Sequence, residues 1–76
     1  MTLYNLVNSM TIQGNIEIAK FDPSGNELDR ELFPDVDDLS TIYLEDYEDL
    51  EVTFMFTNST STGRAWLTIE VQTEEE

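Results

Sequence analysis

Carboxylates are the side chains with which this chain could do chemistry. The sequence has 76 residues, with 17 Asp and Glu, 3 Lys and Arg, and no His or Cys, so its formal net charge is −14. General acid–base catalysis would depend on carboxylates, tyrosine or one lysine, and transfer reactions also need a cationic or metal-held electrophile. A chain this short has little room for a substrate pocket of about 300 Å³ or more. We therefore expect a protein without enzymatic activity and without a cofactor.

The acids are concentrated in one segment. Eight of the 17 lie between Asp35 and Glu51, where there is no Lys or Arg. Carboxylates can bind calcium, but the loop that starts at Asp35 has Leu39 at its fifth position and Ser40 at its sixth, where an EF-hand has an oxygen ligand and a glycine. We therefore expect no specific metal site.

The acidic segment is either a surface for solubility or a surface for binding, and the sequence leaves both open. A row of carboxylates can imitate a DNA strand, which carries one negative charge every ~3.4 Å, and tyrosines among the carboxylates can supply apolar contacts. The same charge excludes direct binding to nucleic acid or to anionic membranes. The binding interpretation predicts contacts with a basic protein surface through these residues: Asp35, Asp37, Asp38, Tyr43, Glu45, Asp46, Tyr47, Glu48 and Asp49.

Hydrophobic periodicity predicts the elements that position these side chains. A helix is expected over 2–10, with Thr2 as its N-cap. A strand over 15–22 follows, then the turn Asp22–Gly25, in which Pro23 has the φ that such a turn needs. Residues 27–33 are expected to pair back as a second strand, with a short helix as the alternative, and to end at Pro34. Residues 35–49 are predicted to be a loop with a helical turn around either 39–43 or 44–49.

Two further strands follow the acidic segment. Residues 50–57 and 64–72 alternate apolar and polar side chains and are joined by a polar hairpin loop at 58–63. The alternation places Phe54 and Phe56 on the face that packs on the helix, and Met55 and Trp66 on the opposite face. That second apolar set indicates either a half-covered sheet or a homodimer surface.

The predicted fold is α+β, a short N-terminal helix packed on a three- to four-stranded antiparallel sheet. Residues 1–73 are expected to form a single domain and residues 74–76 an acidic tail. No run of apolar residues approaches the ~18 of a membrane span, and the first residues lack the basic region of a signal peptide, so a cytoplasmic location is expected.

The sequence also resembles a group of small acidic proteins of phages and mobile elements in Gram-positive bacteria. The shared pattern lies at Gln13–Ile18, Phe21–Gly25 and Tyr47–Asp49, and covers most of the chain. In size and charge the chain is similar to anti-CRISPR proteins, several of which act as DNA mimics.

The resemblance implies a phage-type inhibitor in the host cell, which binds the basic DNA-binding surface of a Cas effector such as Cas9 and blocks DNA loading. The alternative is an accessory phage protein that forms a homodimer and is acidic for solubility only.

Overall fold

The computed structural model of the chain describes residues 1–44, 46–59 and 63–74. Its elements in chain order are the helix α1 (Leu3–Ser9), the strands β1 (Gly14–Phe21) and β2 (Glu27–Val36), a 3-10 helix (Leu39–Thr41), and the strands β3 (Glu51–Ser59) and β4 (Ala65–Gln72). The predicted α+β class, with one short N-terminal helix on a sheet, is confirmed. Strand β3 includes Asn58 and Ser59, which were predicted to belong to the hairpin loop at 58–63. Residues 60–62 of that predicted loop lie outside the described ones.

The four strands form one sheet in the order β2-β1-β4-β3. β1 pairs antiparallel with β2, and β3 with β4, but the central pair β1 and β4 is parallel, so the expectation of a wholly antiparallel sheet is wrong at that pair. The reason is the connection 37–50, which starts near Gly14 at one end of β1 and returns the chain to the other end. β3 therefore starts beside the carboxyl end of β4, and β4 runs in the direction of β1.

The short helix is held at its amino end by hydrogen bonds to residues far along the chain. The Thr2 hydroxyl accepts the Asn5 N–H at 3.2 Å, which confirms the predicted N-cap. The N–H groups of Leu3 and Tyr4 donate to the carbonyls of Leu50 and Glu48. A helix of seven residues is marginal alone, so these bonds and the buried side chains on its inner face stabilise it.

Pro34 does not end the second strand, which continues to Val36. Proline removes one N–H from a sheet ladder, and this is tolerated in an edge strand because the N–H can lie on the unpaired side. β2 is such an edge strand, since its only neighbour in the described sheet is β1.

A β-bulge reverses the predicted orientation of β3. The register with β4 shifts between Val52 and Phe54, so one extra residue lies on β3. Val52 remains on the face that packs on the core, but Phe54 and Phe56 lie on the open face, with 66% and 44% of their surface exposed. The prediction that both phenylalanines face the helix is therefore wrong, and Met55 instead lies on the helix side of the sheet.

The core lies between one face of the sheet and a cover made by α1 and the connection 37–50. The connection contains the 3-10 helix, which confirms a helical turn at the first of the two predicted positions, and a turn at 46–49, near the second. Tyr47 is 3% exposed and belongs to this core. The remaining members of the cluster are apolar residues of the helix, the connection and the sheet: Leu3, Leu6, Val7, Ile12, Ile16, Ile18, Val36, Leu39, Leu44, Ile69 and Val71.

Candidate functional site

The acidic segment forms two groups at opposite ends of the sheet. The first group, Asp35, Asp37 and Asp38, lies at the end of β2 and just beyond it, where Val36 pairs with Gly14. The second group, Asp46, Glu48 and Asp49, lies in the turn beside Tyr47, whose ring lies near Lys20. Gly14 and Lys20 are six residues apart on β1, so the two places on the sheet beside these groups are about 20 Å apart at ~3.3 Å per residue. We call them the β2-end acids and the turn acids. Glu45 lies outside the described residues.

Two acids of β2 contact the side chain of Tyr47. The Tyr47 hydroxyl donates a hydrogen bond to the Asp29 carboxylate at 2.9 Å, and Tyr47 also interacts with Glu31. Asp29 and Glu31 are both exposed and are two residues apart on one strand. Side chains two residues apart on a strand share a face and are about 7 Å apart. The alternation of acids along 27–31 is the sequence signal that could have revealed that acids share one face of β2.

Tyr47 connects the turn to the sheet from inside the core. Burial, the hydrogen bond to Asp29 and the charges of Asp29 and Glu31 raise the pKa of Tyr47 well above its usual range. The same hydrogen bond, followed by one from the Arg30 N–H, lowers the pKa of the Asp29 carboxyl. The Lys20 ammonium lies 5.9 Å from the centre of the Tyr47 ring, a cation–π distance. Tyr47 therefore fixes the acids around it, and it is not the exposed anchor that the sequence suggested.

Tyr43 has the opposite environment. It is 81% exposed, the largest exposure of any large hydrophobic residue among the described ones. It lies in the connection between the 3-10 helix and the turn, so in sequence it separates the β2-end acids from the turn acids. Tyr43 is thus the aromatic side chain of the segment that is available to a partner.

The β2-end acids differ in their structural roles. The Asp38 carboxylate caps the 3-10 helix by accepting from the Ser40 N–H at 3.0 Å and from its hydroxyl at 2.8 Å. Asp35 has a φ of +54°, which aspartate tolerates better than most residues, and its N–H donates to Asn15 Oδ1. Asp37 is exposed. Unlike the other two, Asp37 neither caps a helix nor adopts a left-handed backbone conformation.

Two of the three basic side chains are engaged within the molecule. The Arg30 guanidinium pairs with Glu17 and with Glu27. Lys20 lies beside Tyr47 and Asp29. Arg64 is exposed next to the start of β4, at the end of the sheet away from the turn acids. The field around the turn acids is therefore negative, with Lys20 and the Met1 ammonium, which pairs with Glu51, as partial counterweights in the described part of the chain.

The open face of the sheet is less apolar than the sequence suggested. Arg30 on β2 pairs with Glu17 on β1, and the Thr68 hydroxyl on β4 donates to the same Glu17 carboxylate at 3.1 Å. This polar row crosses three strands in the middle of the face. Trp66 is half-buried beside it, as predicted for this face, and its indole N–H has no acceptor among the described residues. A continuous apolar dimer face over the whole sheet is therefore not present.

Two shallow clefts lie outside the acidic segment or at its margin. One, between α1 and the 3-10 helix, contains Asp38 as its titratable residue. The other, between the 22–25 turn and β3, contains Asp22 and Glu70. Hydrogen bonds from Asn26, Ser24 and Gly25 lower the pKa of the Asp22 carboxyl, whereas a general acid needs a raised one. In the described part of the chain no three acids are grouped as a metal site would require.

In residues 1–44, 46–59 and 63–74 there is no helix with the length and hydropathy needed to cross a membrane. No protein-family model, curated protein or solved structure matches the chain. The function proposed below is therefore based on the surface of this molecule and on the sequence pattern.

Proposed function

We propose that the protein is a non-enzymatic inhibitor that binds a basic, nucleic-acid-binding surface of another protein as an acidic DNA mimic. The observation that supports it most directly is the fixed placement of the acids. The turn acids and the β2-end acids are attached to the two ends of one sheet, about 20 Å apart. That separation corresponds to about six phosphates along one DNA strand at ~3.4 Å each.

Rigidity distinguishes this surface from a flexible acidic tail. Tyr47 is buried and hydrogen-bonded to Asp29, and the Asp38 carboxylate is hydrogen-bonded to the 3-10 helix that it caps. Charged groups held in place lose less conformational entropy when a partner binds, and they impose a register on it. Tyr43, exposed between the two groups of acids, supplies an apolar contact of the kind that contributes most to protein interfaces.

The partner that we propose is a CRISPR-Cas effector of the bacterial host. Such effectors hold nucleic acid in a positively charged channel and read a short duplex motif with arginines. The size and charge of the chain, which are similar to those of anti-CRISPR proteins, are the reason for proposing this class of target among basic proteins. Binding there would block the loading of target DNA.

The test is target-DNA loading and cleavage by candidate effectors while the protein is titrated in, at two salt concentrations. We expect inhibition that weakens as salt rises, since the Debye length falls from ≈10 Å at 0.1 M to ~3 Å at 1 M. Charge reversal of Asp46 and Asp49 together should abolish inhibition and leave the protein folded, because both carboxylates are exposed.

A matched pair of single substitutions separates a specific surface from bulk charge. Asp49→Lys and Glu70→Lys change the net charge equally, but Asp49 lies in the connection over the core and Glu70 on the open face of the sheet. We expect about tenfold or more weaker inhibition for Asp49→Lys, and little change for Glu70→Lys. Equal effects of the two variants would contradict the proposal, as would inhibition that is insensitive to both.

A further inference from the structure

The two edges of the sheet differ in their protection against other strands. β2, at one edge, carries four acids, one arginine and a proline between Glu27 and Asp35. β3, at the other edge, has no charged residue, proline or glycine from Val52 to Ser59. Charges and prolines are the usual means by which an edge strand avoids pairing with another chain. By that criterion β2 is protected and β3 is not.

Part of the β3 edge is covered by the chain itself, and the rest is open. Thr2 forms a bridge with Glu51, and the Val52 N–H donates to the Met1 carbonyl at 2.8 Å. Beyond the bulge, the register with β4 is regular from Phe54 to Ser59. Among the described residues no strand lies on the outer side of that stretch. Six residues of regular strand edge are therefore accessible.

The accessible stretch also contains the three large exposed apolar side chains of the strand. Phe54, Met55 and Phe56 are 66%, 47% and 44% exposed. Aromatic side chains that lie opposite each other on paired strands stabilise the pairing by packing together. Phe54 and Phe56 lie on the same open face, so a neighbouring strand with similar side chains would continue the face.

We propose that β3 pairs edge to edge and antiparallel with β3 of a second copy of this chain. An antiparallel pair of identical strands has two-fold symmetry, so each surface complements itself. The charge distribution favours a second copy, because two chains of net charge −14 can approach closely only where neither carries charge. The uncharged residues from Val52 to Ser59 form such a stretch. The inference goes beyond the proposed function and does not rest on it.

The pairing joins two four-stranded sheets into one continuous sheet and leaves both sets of turn acids accessible. The turn acids lie in the connection that precedes β3, where the Glu48 carbonyl accepts the Tyr4 N–H, and so lie outside the paired stretch Phe54–Ser59. An interface of one strand edge is small compared with the standard of about 800 Å² per partner, so we expect a reversible dimer that forms at micromolar or higher concentration.

Sedimentation equilibrium over a range of protein concentrations, at 0.1 M and 1 M NaCl, tests the inference. We expect a dimer that becomes tighter as salt rises, because salt screens the repulsion between the two acidic chains. This is the opposite of the salt effect expected for binding to a basic target. A protein that stays monomeric at high concentration in both salts would overturn the inference.

Two matched variants locate the interface. Phe54→Glu and Leu32→Glu each put a carboxylate in place of an exposed apolar side chain, 66% and 54% exposed, on the two opposite edge strands. Phe54→Glu should weaken dimerisation about tenfold or more, because the substitution is present twice across the two-fold axis. Leu32→Glu should not. The reverse result, or equal weakening by both, would overturn the inference.

A second measurement does not depend on the variants' folding. Amide hydrogen exchange of the unmodified protein at low and high concentration should show protection gained with concentration by amides of Phe54–Ser59, and not by those of β2. If Phe54→Glu unfolds, Thr57→Glu replaces it, since Thr57 is exposed and its substitution removes no buried apolar group. Protection gained on β2 instead of β3 would contradict the assignment.

Discussion

Substitution by alanine should greatly lower the stability of the protein at Tyr47 and leave it almost unchanged at Tyr43, although both tyrosines lie in the acidic segment. Tyr47 is 3% exposed and packs in the core, whereas Tyr43 is 81% exposed. Replacement of a large buried aromatic residue by alanine costs about 3–5 kcal/mol, through lost burial and the cavity that remains. A substitution on the surface usually changes stability by no more than about 0.5 kcal/mol.

The loss expected for Tyr47→Ala is large for a domain of this size. At roughly 0.05–0.15 kcal/mol per residue, the free energy of unfolding of such a chain is about 4–11 kcal/mol. Tyr47→Ala therefore removes about a quarter of that free energy or more, and at the lower end of the range it unfolds the protein. Tyr47→Phe keeps the ring and removes only the hydroxyl that donates to Asp29, so its cost should be smaller.

Urea denaturation provides the measurement, with the fluorescence of Trp66, the chain's single tryptophan, as the signal. With a denaturant slope of about 1 kcal/mol per M, a loss of 3 kcal/mol lowers the midpoint by about 3 M. Tyr43→Ala should leave the midpoint unchanged and weaken binding to a basic target. The description of Tyr47 as a core residue would be refuted by a Tyr47→Ala protein as stable as the unmodified one, or by equal destabilisation from Tyr43→Ala.

Three further predictions concern pH and salt. The pKa of Tyr47 is raised in the folded state, so the stability that this shift contributes is complete below about pH 10 and is lost as the pH rises further. Urea titrations between about pH 9 and 11 should therefore show a smaller loss of stability for Tyr47→Phe than for the unmodified protein. Because the pKa of Asp22 is lowered, the stability difference between the unmodified protein and Asp22→Asn should be constant above about pH 4 and disappear as the pH falls below it. The thermal midpoint should rise with NaCl, since salt screens the self-repulsion of a chain with net charge −14, and a fall would contradict this.

The sequence determined the elements that depend on local patterns. The capped helix at Leu3–Ser9 and the turn from Asp22 to Gly25 follow from residue types at fixed spacings, since caps and turns are satisfied by side chains close in sequence. Strict alternation located strands β3 and β4 in the same way. The concentration of acids between Asp35 and Glu51 is likewise a property of the sequence alone.

Tertiary structure decided which strands pair and which face each side chain occupies. A parallel central pair arises because the connection 37–50 crosses the sheet from end to end, and periodicity carries no information about that path. One extra residue at the bulge before Phe54 exchanges the faces of all the following side chains, because the side-chain period of a strand is two.

The same distinction applies to the acidic surface. The sequence supplied its charge, but a linear segment could not show that its two halves lie at opposite ends of a sheet. Nor could it show that Asp29 and Glu31, more than ten residues before Tyr47, contact the Tyr47 side chain, since this contact forms only when Tyr47 packs into the core. Charge was therefore determined locally, whereas its arrangement depends on long-range packing, which assigns Tyr47 to the interior and leaves Tyr43 exposed.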